Sequence, residues 1–194
     1  GGAGGVGGVS LGGSGGAGGS TTRTGGSGGG AGDAGTTTGG GLTLDVGGGT
    51  LKIEICADNV VRVAYAKSAS FFTRASLTAA AKKCVPATVT TTTEGGLTKL
   101  TTPRLTVQVD TATGAVTFLD PAGQTILAEK SGGGRTLTAA TVQGEATTSV
   151  RQEWAPNDDE SLYGLGQHQH GLLNIKGTDL DLRQYNTEVF IPYL

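Results

Sequence analysis

The sequence predicts an all-β protein: an antiparallel β-sandwich over residues 42–194, preceded by a disordered glycine-rich tether over residues 1–41. Of the 37 glycines, 22 lie in residues 1–41, mostly among Ser, Thr and Ala. Such a segment buries too little apolar surface to offset the entropy cost of ordering its backbone. Residues 42–194 instead carry 24 threonines and several runs of alternating polar and apolar residues. Both features are typical of β-strands, and many short strands with close turns indicate a sandwich or barrel.

The first predicted hairpin covers residues 50–65. Leu51, Ile53 and Ile55 alternate with polar residues, which predicts a half-buried strand. The same alternation returns over residues 61–65 after Asp58-Asn59, a pair that favours a tight turn.

A three-stranded meander is predicted over residues 105–128. Alternating residues over 105–109 are followed by a turn ending in Gly114, and Val116 begins the return strand. A second turn, Asp120-Pro-Ala-Gly123, combines a proline that fixes φ with a glycine that allows positive φ. The sequence offers one helix candidate, a short run over residues 75–83.

Charge and composition exclude several classes of function. The net charge is −2, from 14 basic and 16 acidic residues without a basic stripe, so no nucleic-acid partner is expected. No apolar run approaches the ~20 residues that span a bilayer, so no membrane partner is expected. The sequence has no cofactor fingerprint, so no cofactor is expected to bind. The chain contains no methionine, which indicates a fragment or a processed product.

Two cysteines, Cys56 and Cys84, are too few for a disulfide framework. They can pair with each other or remain buried as free thiols. We favour free, buried thiols.

Residues 151–194 contain five of the nine aromatic residues and both histidines, so chemistry is most expected there. Gly164 and Gly166 resemble a phosphate-binding loop, but Gln169 stands where the fingerprint needs a third glycine. We favour glycines that let the backbone pass close to a neighbour.

His168 and His170 would share one face of a strand, as a metal pair requires, but two nitrogens do not complete a tetrahedral site. Polar contacts in a loop are the preferred interpretation.

The carboxylates of this region do not form an obvious catalytic pair. Asp179 and Asp181 would lie side by side on one strand face, and residues 158–160 are typical of a solvated turn. Glu188 differs because it follows Asn186-Thr187 in an aromatic, polar segment. A sugar site combines aromatic faces with carboxylate and amide groups that bind hydroxyls, and a polar cluster at a strand edge is the alternative.

Two runs of the C-terminal region are distinctive: Glu160-Ser-Leu-Tyr-Gly-Leu-Gly-Gln-His-Gln169 and Gln184-Tyr-Asn-Thr-Glu-Val-Phe-Ile-Pro-Tyr-Leu194. Together they resemble glycoside hydrolase family 31, in particular its α-xylosidase and α-glucosidase branch. Upstream, residues 51–63 resemble the family's early hairpin and residues 99–129 its central meander. The resemblance covers residues 42–194.

The resemblance implies a galactose-mutarotase-like sandwich that stands before a (β/α)₈ barrel. The barrel would supply the two catalytic aspartates of a retaining mechanism, so no catalytic residue is assigned in this chain. The position that matches the family's sugar-binding carboxylate is Glu188, with Asn186 close by. It is Glu here, where many α-glucosidases have Asp. The implied ligand is an α-linked oligosaccharide, xyloside or glucoside.

Three functions follow as hypotheses. The first is the non-catalytic N-terminal sandwich of an α-glycosidase, incomplete at its C-terminus, and inactive by itself. The second is a free carbohydrate-binding module on a glycine-rich linker, and the third is a structural β domain. Tethers of this composition often join modules of secreted enzymes, which favours a secreted protein. Residues 191–194 resemble the start of a strand, so we expect an exposed sheet edge and apolar face there.

Overall fold

The computed structural model describes residues 35–38, 40–75, 87–191 and 193–194, and all of them lie in one compact unit spanning residues 32–194. Within these residues the chain forms thirteen strands and one short 3₁₀-helix, Ala69–Thr73. The strands are β1 (Gly35–Thr38), β2 (Gly41–Val46), β3 (Gly49–Ala57), β4 (Val60–Ala66), β5 (Thr88–Glu94), β6 (Leu97–Thr101), β7 (Thr106–Asp110), β8 (Val116–Leu119), β9 (Thr125–Ala128), β10 (Arg135–Val142), β11 (Glu145–Gln152), β12 (Gly166–Gln167) and β13 (Val189–Phe190). The helical part of the described chain is therefore far too short to cross a bilayer.

Two sheets form the two layers of an antiparallel sandwich. One has six strands in the order β1-β5-β6-β7-β8-β9, and the other has three in the order β2-β3-β4. Buried side chains from both sheets make one core: Leu51, Ile53 and Ile55 from β3, with Val89, Leu100, Val107, Val109 and Val116 from the larger sheet. Two further pairs, β10-β11 and β12-β13, complete the described structure. The predicted all-β sandwich is confirmed.

The first predicted hairpin is confirmed in its strands and its register. β3 and β4 pair so that Leu51 lies opposite Tyr65 and Ile53 opposite Val63. The three alternating apolar residues of β3 are all buried in the core. Period-two alternation was informative here because one face of β3 is buried.

The predicted meander is confirmed as strands β7, β8 and β9. Its first turn closes with the Gly114 amide donating to the Asp110 carbonyl oxygen at 2.8 Å. In the second turn the Gly123 amide donates to the Asp120 carbonyl oxygen at 3.0 Å. Both glycines have positive φ, 73° and 84°, as the turn chemistry required.

Several hairpins were not predicted, among them the pairing of β2 with β3 around Gly47-Gly48. β5 and β6 pair around Gly95-Gly96, and β10 and β11 pair over eight residues around Gln143-Gly144. Every residue of β11 is exposed, and β10 has half-buried positions but no buried residue. Without one buried face, a strand leaves little periodic signal in its sequence.

The strands begin earlier than the predicted domain boundary at residue 42. β1 pairs with β5 from Gly35 to Thr38, inside the segment assigned to the tether, and β2 begins at Gly41. The β-branched residues of β1 explain the difference, since threonine favours extended backbone even beside glycine. The rest of the tether, residues 1–34 and 39, lies outside the described residues, as do residues 76–83 of the helix candidate.

Cys56, on β3, is disulfide-bonded. The preference for a free thiol is therefore wrong at this position. Cys56 is half-buried and lies at the register shift between Ile55 and Ala57, near the end of β3, where the regular alternation of the strand is interrupted. Cys84 lies outside the described residues.

The β10–β11 ribbon is joined to the sandwich by the buried carboxylate of Glu129. Its Oε2 accepts from the Val116 amide at 3.0 Å and lies 3.1 Å from Nη2 of Arg135, the first residue of β10. Its Oε1 accepts from the Gln152 side chain at 3.0 Å. One side chain thus contacts the start of β8, the start of β10 and the end of β11.

Candidate functional site

The glycine-rich run of residues 164–166 lies directly against the chain at residues 189–193. Gly164 and Gly166 have φ of 123° and 108°. A Cβ at Gly164 would overlap the carbonyl oxygen of Tyr193, and a Cβ at Gly166 would overlap that of Val189. The glycines therefore permit close backbone contact, which confirms the preferred interpretation. A strand, β12, begins at Gly166, where a phosphate loop would need a helix.

Backbone hydrogen bonds fasten this run to the returning chain. The Leu165 amide donates to the Tyr193 carbonyl oxygen at 2.7 Å, and the Ile191 amide donates to the Leu165 carbonyl oxygen at 3.2 Å. β12 and β13 then pair Gly166 with Phe190 and Gln167 with Val189. The two runs that carry the family resemblance are thus neighbours in space.

The candidate sugar-binding residues lie in a tight turn that leads into β13. The Glu188 amide donates to the Tyr185 carbonyl oxygen at 2.9 Å, and the reverse bond is 3.3 Å. Asn186 and Thr187 are the two central residues of this turn. Asn186 has φ of 50°, a left-handed conformation that Asn tolerates better than most residues. The structure therefore brings Asn186 and Glu188 together, with Glu188 half-buried and Asn186 exposed.

Polar side chains on both sides contact this turn. The Gln169 amide donates to the Thr187 hydroxyl. The Gln184 side-chain oxygen accepts from the Phe190 amide at 3.2 Å. The Arg183 guanidinium lies 5.9 Å from the centre of the exposed Tyr185 ring.

The remaining candidates of this region do not join the turn. The His168 and His170 rings stack 5.5 Å apart, and no group of three or more potential metal ligands occurs in the described chain. The His168 Nε2 contacts the Leu165 carbonyl oxygen at 3.2 Å, and the His170 Nδ1 accepts from the Leu172 amide at 3.1 Å, so both make local polar contacts. Asp179 and Asp181 are not in a strand, contrary to the assumed geometry. The Asp181 carboxylate instead lies 3.2 Å from the Arg183 guanidinium, in the segment that precedes the turn.

Three cavities near the described strands are lined by other residues than Glu188 and Asn186, and one of the three lies between β5 and β6. An apolar cavity of about 370 Å³ is lined by the glycine-rich run together with Val189, Ile191 and Tyr193. A second, of about 250 Å³, is lined by Tyr65, Lys67 and Arg135 among others. The turn therefore presents Glu188 and Asn186 on the surface rather than in a pocket formed by these residues.

Sequence reasoning did not assign Gln169, Thr187 or Gln184 to the site. Gln169 and Thr187 are 18 residues apart in sequence, and no spacing rule connects a glutamine to a threonine at that distance. Their contact depends on the pairing of β12 with β13, which is visible only in the folded chain.

The clearly lowered pKa values occur on the sandwich, away from this turn. Hydrogen bonds from the Thr113 and Ala112 backbone amides lower the pKa of Asp110. On the three-stranded sheet, Lys52 and Arg62 lower the pKa of Glu54, although partial burial opposes this. These shifts belong to turn and strand contacts.

Comparison with known proteins identifies the domain. Residues 50–193 match the glycosyl hydrolase 31 N-terminal galactose mutarotase-like domain. The chain is also similar to the GH31 α-xylosidase of Xanthomonas citri, with a TM-score of 0.67 and 30% identity over 78% of this chain. A GH31 α-xylosidase from a soil metagenome, solved with xylose, has the same fold, with a TM-score of 0.62 and 22% identity over 82% of this chain.

The chain spans only 17% and 26% of the lengths of these two enzymes. The family match covers most of the described residues, including the paired strands β12 and β13. The chain belongs to glycoside hydrolase family 31, as its N-terminal galactose-mutarotase-like β-sandwich domain.

Proposed function

We propose that this chain is the non-catalytic sandwich of a retaining α-glycosidase of the α-xylosidase or α-glucosidase type. In this role it supports a catalytic barrel and contributes to binding an α-linked sugar. The observation that carries the proposal is the tight surface turn closed between Tyr185 and Glu188, which has a carboxylate residue, an amide residue and an exposed aromatic residue within four positions. The similar enzyme of Xanthomonas citri is an α-xylosidase, which favours a xyloside over other sugars.

The chemistry of this turn suits a sugar. A carboxylate accepts hydrogen bonds from vicinal hydroxyls, and an amide such as that of Asn186 both donates and accepts. The Tyr185 ring is 69% exposed, which leaves an apolar face for the C–H side of a pyranose. The sandwich would orient the substrate rather than break its bond, because retention needs two carboxyl groups about 5–5.5 Å apart.

A titration of the ¹⁵N-labelled chain with methyl α-xyloside and methyl α-glucoside tests the binding role. We expect amide shifts confined to residues 185–188, and at least a several-fold weaker response in Glu188→Gln. Glu145→Gln, on the exposed β11, is the matched control and should bind as the wild type does. Shifts that are absent for both sugars, or that persist unchanged in Glu188→Gln, would overturn the proposal.

The isolated chain is expected to be catalytically inactive, since the proposal places the nucleophile and the acid/base on the barrel. Incubation with an aryl α-xyloside and an aryl α-glucoside should release no phenol above the uncatalysed rate. Turnover by protein of mass-verified purity that survives Glu188→Ala would contradict this expectation.

The disulfide at Cys56 supports an oxidising compartment, since disulfides persist mainly in secreted and extracytoplasmic proteins. We therefore extend the proposal to a secreted or extracytoplasmic enzyme. Export of the natural protein into the medium or periplasm, measured by fractionation, is the direct test.

A further inference from the structure

We propose that Gln169 is a positioning residue for the turn from Tyr185 to Glu188, acting through its hydrogen bond to the Thr187 hydroxyl. The inference deepens the proposed function and rests on it for the turn's role in sugar binding. Gln169 itself need not touch the sugar. Its task is to hold the conformation in which Asn186 and Glu188 face the same ligand.

The register of the β12–β13 sheet explains why these two residues meet. Gln167 pairs with Val189, and continuing the antiparallel register by two residues places Gln169 opposite Thr187. Backbone pairing of β12 with β13 ends at Gln167. Two residues further along, the side-chain hydrogen bond from Gln169 to Thr187 links the two segments. Directly opposite residues have Cβ atoms about 4.5–5.5 Å apart, within reach of such a bond.

The turn needs this support because its own sheet is minimal. β12 and β13 contribute two register pairs, and an isolated two-stranded pairing is marginally stable in water. Asn186 and Thr187 are both exposed, so apolar burial contributes little to fixing the turn. The glycine contacts of Gly164 and Gly166 anchor the start of the Gln169 segment against the sheet. The Gln169 side chain then links this anchored segment to Thr187 in the turn.

A looser turn lowers apparent affinity in proportion to the fraction of molecules in the binding conformation. A single neutral hydrogen bond contributes about 0.5–1.5 kcal/mol. Its loss should therefore weaken sugar binding by roughly 2- to 10-fold. The sugar-free chain should already show the change.

The test measures ¹⁵N relaxation of the sugar-free chain. Gln169→Leu and Thr187→Val remove the bond while keeping approximate side-chain size, and Thr187→Ser keeps the hydroxyl. We expect backbone order parameters at residues 186 and 187 to fall from about 0.85 to below about 0.6 in the first two variants. Thr187→Ser should restore the wild-type values. The melting temperature should stay nearly unchanged in all three, which separates positioning from a general loss of stability.

Gln167→Leu is the matched control, since the Gln167 side chain makes no hydrogen bond within the described part of the chain. Unchanged order parameters in both Gln169→Leu and Thr187→Val would overturn the inference, whatever the sugar titration gives. If Gln169→Leu does not fold, the comparison of Thr187→Val with Thr187→Ser decides alone. The order parameters at residues 186 and 187 can fall as expected in a chain that binds neither sugar. That result would support the positioning role of Gln169 and reject the proposed function.

Discussion

Gly166 shows how a single residue can decide a contact between two segments. Its φ of 108° is inaccessible to most residues, and the carbonyl oxygen of Val189 occupies the space that a Cβ would need. Two independent constraints, conformational and steric, therefore require glycine here. Gly171 has φ of 70° but open space around it, so it satisfies only the first constraint.

Gly166→Ala should therefore destabilise the domain more than Gly171→Ala. We expect about 3 kcal/mol or more for the first, because the loop must move off β13, and about 1 kcal/mol for the second. Urea denaturation followed by Trp154 fluorescence measures both. Equal losses of stability in the two variants would show that the close approach to Val189 is not maintained in solution.

Asp110 illustrates a residue-scale effect that depends on pH. Its Oδ1 accepts from the Thr113 amide at 2.9 Å and from the Ala112 amide at 2.8 Å. These bonds favour the charged carboxylate, so the pKa of Asp110 in the folded chain lies below its ordinary value. The stabilisation is complete above the unfolded value of about 3.9 and is lost as the pH falls through the folded pKa.

The Asp110→Asn variant should consequently lose less stability than the wild type between pH 5 and pH 2. Urea midpoints measured at pH values across this interval provide the comparison. The wild-type midpoint should fall more steeply, and parallel curves for the two proteins would contradict the role assigned to Asp110.

At the scale of elements, the Glu129 carboxylate connects the β10–β11 ribbon to the larger sheet. Its side chain is 3% exposed and that of Arg135 is 13% exposed, so this is a largely buried ion pair. Arg135 also lies 5.4 Å from the Tyr65 ring centre and donates through Nη2 to the Gly114 carbonyl oxygen. Its Nη1 has no hydrogen-bond partner among the described residues, so Glu129 is important for compensating its charge.

Glu129→Gln should destabilise the domain by about 3 kcal/mol, because it leaves the Arg135 charge uncompensated in a buried position. Glu153→Gln is the matched control: Glu153 pairs with the exposed Lys130, and its loss should cost less than about 1 kcal/mol. Hydrogen exchange of β10 and β11 amides should accelerate only in Glu129→Gln. Similar behaviour of the two variants would show that the ribbon does not depend on this pair.

The elements also differ in how well sequence anticipated them. β3 and β7 could be predicted because alternate residues of each strand are buried in the core, which gives their sequences a hydrophobic period of two. The β10–β11 ribbon was missed because β11 is exposed along its whole length. Glu129 gave no signal, since its partners at Val116, Arg135 and Gln152 come from three separate strands.

Across the whole domain, exposed apolar side chains concentrate in the C-terminal part. Leu173 is 80% exposed and Tyr193 is 79% exposed, and other large apolar residues of residues 154–194 share this exposure. Large apolar side chains exposed in such numbers are typical of a region that contacts a partner. It also agrees with the exposed apolar face expected around residues 191–194.

We therefore expect the isolated chain to self-associate with rising concentration. Sedimentation velocity over a hundred-fold concentration range should show a growing weight-average coefficient, reduced in the double variant Leu173→Asp/Tyr193→Asp. Thr136→Asp together with Thr147→Asp, on the ribbon, adds the same charge and is the control. A monodisperse chain with one sharp unfolding transition would contradict the expectation.

The sequence by itself determined the fold class, the family and the core strands β3, β7 and β8. Burial on one face of a strand imposes a local period, and the glycine and turn residues of the C-terminal runs are local requirements as well. It also marked Asn186 and Glu188, whose sugar-binding role stays a prediction. Only the tertiary structure decided that Gln169 meets Thr187, that Glu129 joins three strands and that Gly166 lies on Val189. These contacts join residues that are distant along the chain, so no local pattern could encode them.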